Sequence, residues 1–116
     1  MTYRPLSRLD ARTQERWRGN AFGRIQSGPY VGRLVTVVEF SETGCRIRDH
    51  DMACEPGDVF HMTLEDVGPM ISDVRWKNGA FIGISFRHTL TDMVLKHLHA
   101  LMKEPLQARM ARLMSR

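Results

Sequence analysis

What this sequence lacks narrows its function first. It has only two cysteines in 116 residues, Cys45 and Cys54. With no CxxC pair around them, they suggest neither a disulfide framework nor a structural zinc site. They read as two reduced, semi-buried small side chains of a cytosolic protein. No apolar run approaches the length needed to cross a bilayer. Residues 1–18 have no hydrophobic stretch of the kind secretory signals carry, so the expected location is cytoplasmic. The HExxH, GxSxG, P-loop and GxGxxG patterns are all missing. The five histidines, His50, His61, His88, His97 and His99, fall in no arrangement that joins a nucleophile, a base and an orienting group. The expectation is a protein that is not an enzyme, with no catalytic residue, no metal and no cofactor. Aromatics are sparse at 8%. With no RNP-type strand or zinc-finger pattern among them, DNA is not an expected partner.

Charge is present, but it is unevenly spread. Up to Arg33 there are seven arginines against Asp10 and Glu15. From Leu34 to Phe86 four cations face nine acids, and from Arg87 onward six cations face Asp92 and Glu104. A basic head, an acidic middle and a basic tail point to an anion site near the N-terminus rather than a uniformly basic nucleic-acid surface. Residues 1–18 form the basic arm. Arg4, Arg8, Arg12 and Arg16 recur at every fourth position, a row that repels itself unless an anion or a distant carboxylate neutralises it. Read without any ligand, the same arm is simply solvated and partly disordered.

Residues 19–88 have the texture of a small β domain. Short runs at Ala21–Ile25, Tyr30–Phe40, Cys45–Arg48, Val59–Leu64, Met70–Trp76 and Ala80–Phe86 are separated by turn residues. Leu34 to Val38 is β-branched and nearly continuous, as in a strand buried on both faces. Lys77-Asn78-Gly79 is the strongest hairpin signal. Trp76 and Phe86 alternate with polar neighbours and are expected in the core rather than as stacking platforms. Six strands at this spacing predict a mainly β fold, a six-stranded antiparallel barrel in which closure removes exposed edges.

Residues 89–116 switch to helical period. Leu90, Val94, Leu98, Leu101 and Met102 share a face, with Thr89 or Thr91 as N-cap, and Pro105 ends or interrupts the helix. Leu106, Met110, Leu113 and Met114 mark a second, shorter amphipathic stretch flanked by Arg109, Arg112 and Arg116. This basic, Met-rich tail is expected to pack on the barrel or fray, with a protein partner or a membrane surface as the alternative.

Two features combine into a resemblance. Arg12-Thr13-Gln14-Glu15-Arg16 is an RxxxR at the mouth of the β region. Glu39-Phe40-Ser41-Glu42-Thr43-Gly44 stands where the long second strand turns into the third. Together they resemble the RxxxR and (D/N)xSxxG motifs of the PilZ family. Val74-Arg75-Trp76, Asn78-Gly79 and Gly83-Ile84-Ser85-Phe86 resemble that family's closing hairpin, and the likeness spans roughly residues 8–88.

The resemblance implies a PilZ-type six-stranded barrel with a C-terminal helix that binds the bacterial second messenger cyclic di-GMP. Arg12 and Arg16 would take the phosphates or guanine edges, with Arg8 as the rival first arginine. Forked guanidinium donors suit both phosphate and guanine O6/N7. Ser41 would hydrogen-bond through its hydroxyl, and Gly44 would permit close backbone approach or a positive φ. Ordering of the arm on ligand would then change the surface shown to a protein partner. Glu39 departs from the family's Asp or Asn, keeping the acceptor oxygens but adding a methylene and a rotor. The alternative reading is a degenerate PilZ domain that has lost the ligand and acts as a protein–protein interaction module. Ser41, Thr43 and Gly44 are also good turn formers with no ligand at all.

Overall fold

In a computed structural model of the chain, residues 17–114 are described. The arm arginines Arg8, Arg12 and Arg16 lie outside them. Six strands follow in chain order, β1 (Trp17–Ile25), β2 (Leu34–Phe40), β3 (Gly44–Arg48), β4 (Val59–Leu64), β5 (Val67–Asn78) and β6 (Phe81–Phe86). Two helices complete the fold, α1 (Asp92–Leu101) and α2 (Leu106–Met114). All strand pairings are antiparallel. The sheet closes on itself in the order β1-β2-β3-β6-β5-β4, so among the described residues the barrel leaves no open sheet edge. The mainly β barrel with C-terminal helices expected from the sequence is thus the observed fold.

The barrel interior is filled by alternate residues of each strand. Val35 and Val37 of β2, Cys45 and Ile47 of β3, Phe60, Met62 and Leu64 of β4, and Ile82, Ile84 and Phe86 of β6 are buried. Burial in β2 alternates rather than running continuously, which corrects the expectation of a strand buried on both faces. One face of β2 lines the interior and the other is only partly covered.

Besides an irregularity in the β4–β5 pairing, where Met62 pairs with Met70 but Leu64 with Val67, three breaks in this alternation shape the molecule. Between β2 and β3, Val37 pairs with Ile47 but Glu39 pairs with Arg46, so Val38 is an extra residue. Between β5 and β6, Val74 pairs with Ile84 but Trp76 pairs with Gly83, so Arg75 is extra. A third irregularity separates Arg18 from Ala21 in the β1–β2 pairing. A bulge advances the strand by one residue and turns the side chains beyond it to the opposite face. That is why Trp76 is 42% exposed instead of in the core, where strict alternation from Ser72 and Val74 would put it. Phe86, on the unbulged β6, is buried as expected.

The helices close the domain from outside the sheet. Thr91 caps α1, its hydroxyl accepting from the Val94 N–H at 3.2 Å. Leu90, Leu98 and Leu101 join the barrel core cluster, and Pro105 separates the two helices. α2 is held to β1 and the β4–β5 turn by Arg109. This residue was expected as a flanking charge and is instead buried, only 5% exposed. Its Nη1 donates to Glu65 Oε2 at 3.0 Å and to the Asn20 carbonyl at 3.2 Å. Glu65 itself sits at φ 54, a conformation that costs a non-glycine residue energy. Reciprocal bonds hold it there. The Phe22 N–H donates to the carboxylate and the Glu65 N–H to the Phe22 carbonyl. Because Glu65 makes this tight turn with Asp66, strand β5 starts at Val67, earlier than the run expected from Met70.

Candidate functional site

The bulges converge on one concavity of about 490 Å³ on the sheet surface. Strands β2, β3, β5 and β6 and the β2–β3 turn line it. Along the ladder a single row of paired residues crosses five strands. Arg18 of β1 stands opposite Glu39 of β2, Glu39 opposite Arg46 of β3, Arg46 opposite Gly83 of β6, and Gly83 opposite Trp76 of β5. The Val38 bulge brings Glu39 into the row on the open face, and the Arg75 bulge does the same for Trp76. Without them both residues would point into the core.

Three of the residues singled out from the sequence, Glu39, Ser41 and Gly44, line this concavity together. Arg8, Arg12 and Arg16 lie outside the described residues. Ser41 and Gly44 frame the β2–β3 turn. The Ser41 N–H donates to the Gly44 carbonyl at 2.9 Å, and the Ser41 hydroxyl lies 3.3 Å from that of Thr43. Gly44 is required by close approach rather than by an unusual φ. A Cβ there would stand 2.1 Å from the Ile84 carbonyl oxygen of the neighbouring strand. The turn is also tied to the helical end of the chain, since the Thr43 and Glu42 carbonyls accept from the Phe86 and Leu90 N–H groups at 2.9 and 2.8 Å.

Sequence reasoning missed Arg46, Arg75 and the outward placement of Trp76. Each lines the concavity; Arg46 faces outward by the plain alternation of β3, whereas Arg75 and Trp76 owe their placement to a bulge that strand periodicity alone cannot reveal. The Arg46 guanidinium carbon sits 5.2 Å from the centroid of the Phe81 ring, and its Nε is buried with no hydrogen-bond partner among the described residues. The lining thus carries two guanidinium groups and one carboxylate, with hydroxyls of Ser41, Thr43 and Ser85, a set suited to a polar anionic ligand. Cys45 also borders it, but burial pushes the Cys45 thiol up to about 12, which keeps it neutral and non-nucleophilic at ordinary pH. Cys54 is buried too, and both thiols are free. Among the described residues no group of three His, Cys, Asp or Glu side chains is placed to hold a metal, and no helix is long and apolar enough to cross a membrane. Neither protein-family models nor curated proteins yield a match to this chain.

Proposed function

We propose that this protein is a PilZ-type receptor or adaptor for cyclic di-GMP. The observation that carries the reading is the gathering of Glu39, Ser41 and Gly44, which stand at the three marked positions of the second motif, along one concavity whose volume lies in the range of small-molecule sites. Strand β1 begins at Trp17, which pairs with Phe40 at the end of the strand leading into the turn that holds Ser41. A ligand with two phosphates and two guanines offers acceptors to Arg12, Arg16 and Arg46 alike, and forked guanidinium donors match both groups.

Calorimetric titration with cyclic di-GMP tests the proposal. The expected result is saturable heat, with affinity weakened at least tenfold in Arg16→Ala while the thermal midpoint is unchanged. No heat with the native chain at about 100 μM ligand, where even weak specific binding registers, overturns ligand binding. If heat appears only in Glu39→Asp, the longer acid has cost the site its ligand, and the interaction-module reading takes over.

A further inference from the structure

The same concavity has a second wall that the motif residues do not supply. Resting on the proposed nucleotide reading, we infer that Trp76 is a stacking platform for a purine base and that Arg46 is the donor facing that base's acceptor edge.

Three independent features of the molecule lead there. First, the indole is built onto the open face. The extra residue Arg75 turns Trp76 out of the core, leaving a large apolar ring 42% exposed at the rim of the cavity. Second, the opposite strand has been cleared for it. Gly83, the ladder partner of Trp76, is buried although it lies in the outward row, because the indole covers it. A Cβ on Gly83 would stand 2.1 Å from the indole Nε1 and 2.2 Å from Cε2. Gly83 shows no positive φ, so its lack of a side chain answers to the ring and not to the backbone. The indole is thereby laid across the sheet, the posture in which an aromatic side chain accepts a flat base. Third, the next residue in the row is a cation with an open donor. Arg46 is parked on the Phe81 ring with its Nε buried and unpaired among the described residues. A buried donor without an acceptor is a costly state, and an acceptor entering the concavity relieves it once the guanidinium swings off the ring. A base on the Trp76 indole brings its edge toward Gly83 and Arg46 in turn. Guanine presents O6 and N7, two acceptors matched to an arginine fork, whereas adenine presents one acceptor and one donor on that edge. Arg46 therefore gives the site a preference for guanine.

The test uses the full chain and two ligands, cyclic di-GMP and cyclic di-AMP, with calorimetry for affinity. Tryptophan emission is read in a Trp17→Phe background, so that Trp76 is the only indole. Stacking energies of this kind predict that Trp76→Ala weakens cyclic di-GMP binding about tenfold or more, while Trp76→Phe, which keeps a ring, stays within about threefold. Saturating ligand should quench the Trp76 emission. Arg46→Met should narrow the ratio between the two ligands' affinities by about tenfold, the size of one lost arginine–guanine pairing. If the native chain binds neither ligand, the nucleotide reading falls and this inference falls with it. If the native chain binds but Trp76→Ala binds equally well, or Trp76→Phe loses as much as Trp76→Ala, the platform is overturned while the receptor reading stands. Should Trp76→Ala fail to fold, an emission unchanged at saturation overturns it instead. An unaltered ligand ratio in Arg46→Met removes the guanine preference.

Discussion

Arg109 and Arg46 both lie against a phenylalanine ring of the same barrel, and the molecule treats them in opposite ways. Arg109 stands 6.0 Å from the Phe22 centroid, almost fully buried, with its Nη1 shared between a carboxylate and a backbone carbonyl. Arg46 stands 5.2 Å from the Phe81 centroid with a buried Nε that no described residue accepts from. One guanidinium completes a structural joint between α2, β1 and the β4–β5 turn. The other borders a concavity and keeps a donor in reserve. The difference separates charge used to hold the fold from charge available to something that arrives. It also shows that net charge alone does not tell which cations the fold has already paired.

Arg109→Met should produce the largest effect. It leaves the Glu65 carboxylate buried beside a single backbone donor, and breaking a buried pair in this way costs about 3–5 kcal/mol, read as a fall in the denaturant midpoint. Adding Glu65→Gln, which removes the orphaned charge, should recover much of the loss. Arg46→Met is expected to leave stability within about 0.5 kcal/mol, since Arg46 gives up only its contact with the Phe81 ring and no ion pair or Nε hydrogen bond among the described residues. Equal losses in the two variants would break the distinction between them.

The two glycines of the concavity sharpen the same contrast at smaller scale. A Cβ at Gly44 meets backbone, the Ile84 carbonyl oxygen at 2.1 Å, which can yield only if two strands move apart. Gly44→Ala is expected to cost about 1–3 kcal/mol. At Gly83 the obstacle is the Trp76 side chain, which can swing away into solvent. Gly83→Ala should therefore cost less than Gly44→Ala in thermal unfolding, yet shift the Trp76 emission to longer wavelength in the Trp17→Phe background. The reverse ranking would mean that the indole, and not the β3–β6 backbone approach, holds this part of the sheet.

How much of this was legible in the sequence follows from where the chain keeps its period. Val59–Leu64 is a strand with the expected bounds because apolar and polar residues alternate from Phe60 to Leu64. Lys77-Asn78-Gly79 marks the β5–β6 hairpin, since Gly79 sits at φ 63, where only glycine is at ease. Trp76 was misread because one inserted residue, Arg75, inverts every side chain after it, and nothing in the local composition announces a bulge. Glu39 lies beyond a similar insertion at Val38. The motif reading put Glu39 in the site, whereas alternation from Val35 and Val37 would have buried it. Arg109 was misread for a different reason. Its partner Glu65 lies 44 positions away, and the sequence shows two ordinary surface charges until the fold brings them together.

Arg33 supplies the intermediate case and the smallest predicted effect. Its Nε and Nη2 both donate to the Asp49 carboxylate at 2.8 Å, a forked pair nearer the surface than Arg109–Glu65 and, unlike Arg46, with its Nε bonded. The Arg33 guanidinium holds the Asp49 carboxyl below its usual range against the opposing pull of partial burial. Arg87 does the same for Asp73. A carboxylate depressed in the folded state contributes stability that is complete above its unfolded value, about 3.9. That contribution is lost as pH falls through the lower folded value. Thermal midpoints of the native chain should therefore hold steady from neutral pH to about pH 5 on account of these two groups, and decline below about pH 4. Asp49→Asn removes one of the two titrating pairs, so its midpoint should start slightly lower at neutral pH and fall less steeply in acid. The two curves converge because protonation deprives the native chain of the charge that the variant never had. Parallel curves would mean that the Arg33–Asp49 fork adds geometry but no net stability, and Arg33 would then stand nearer to Arg46 than to Arg109.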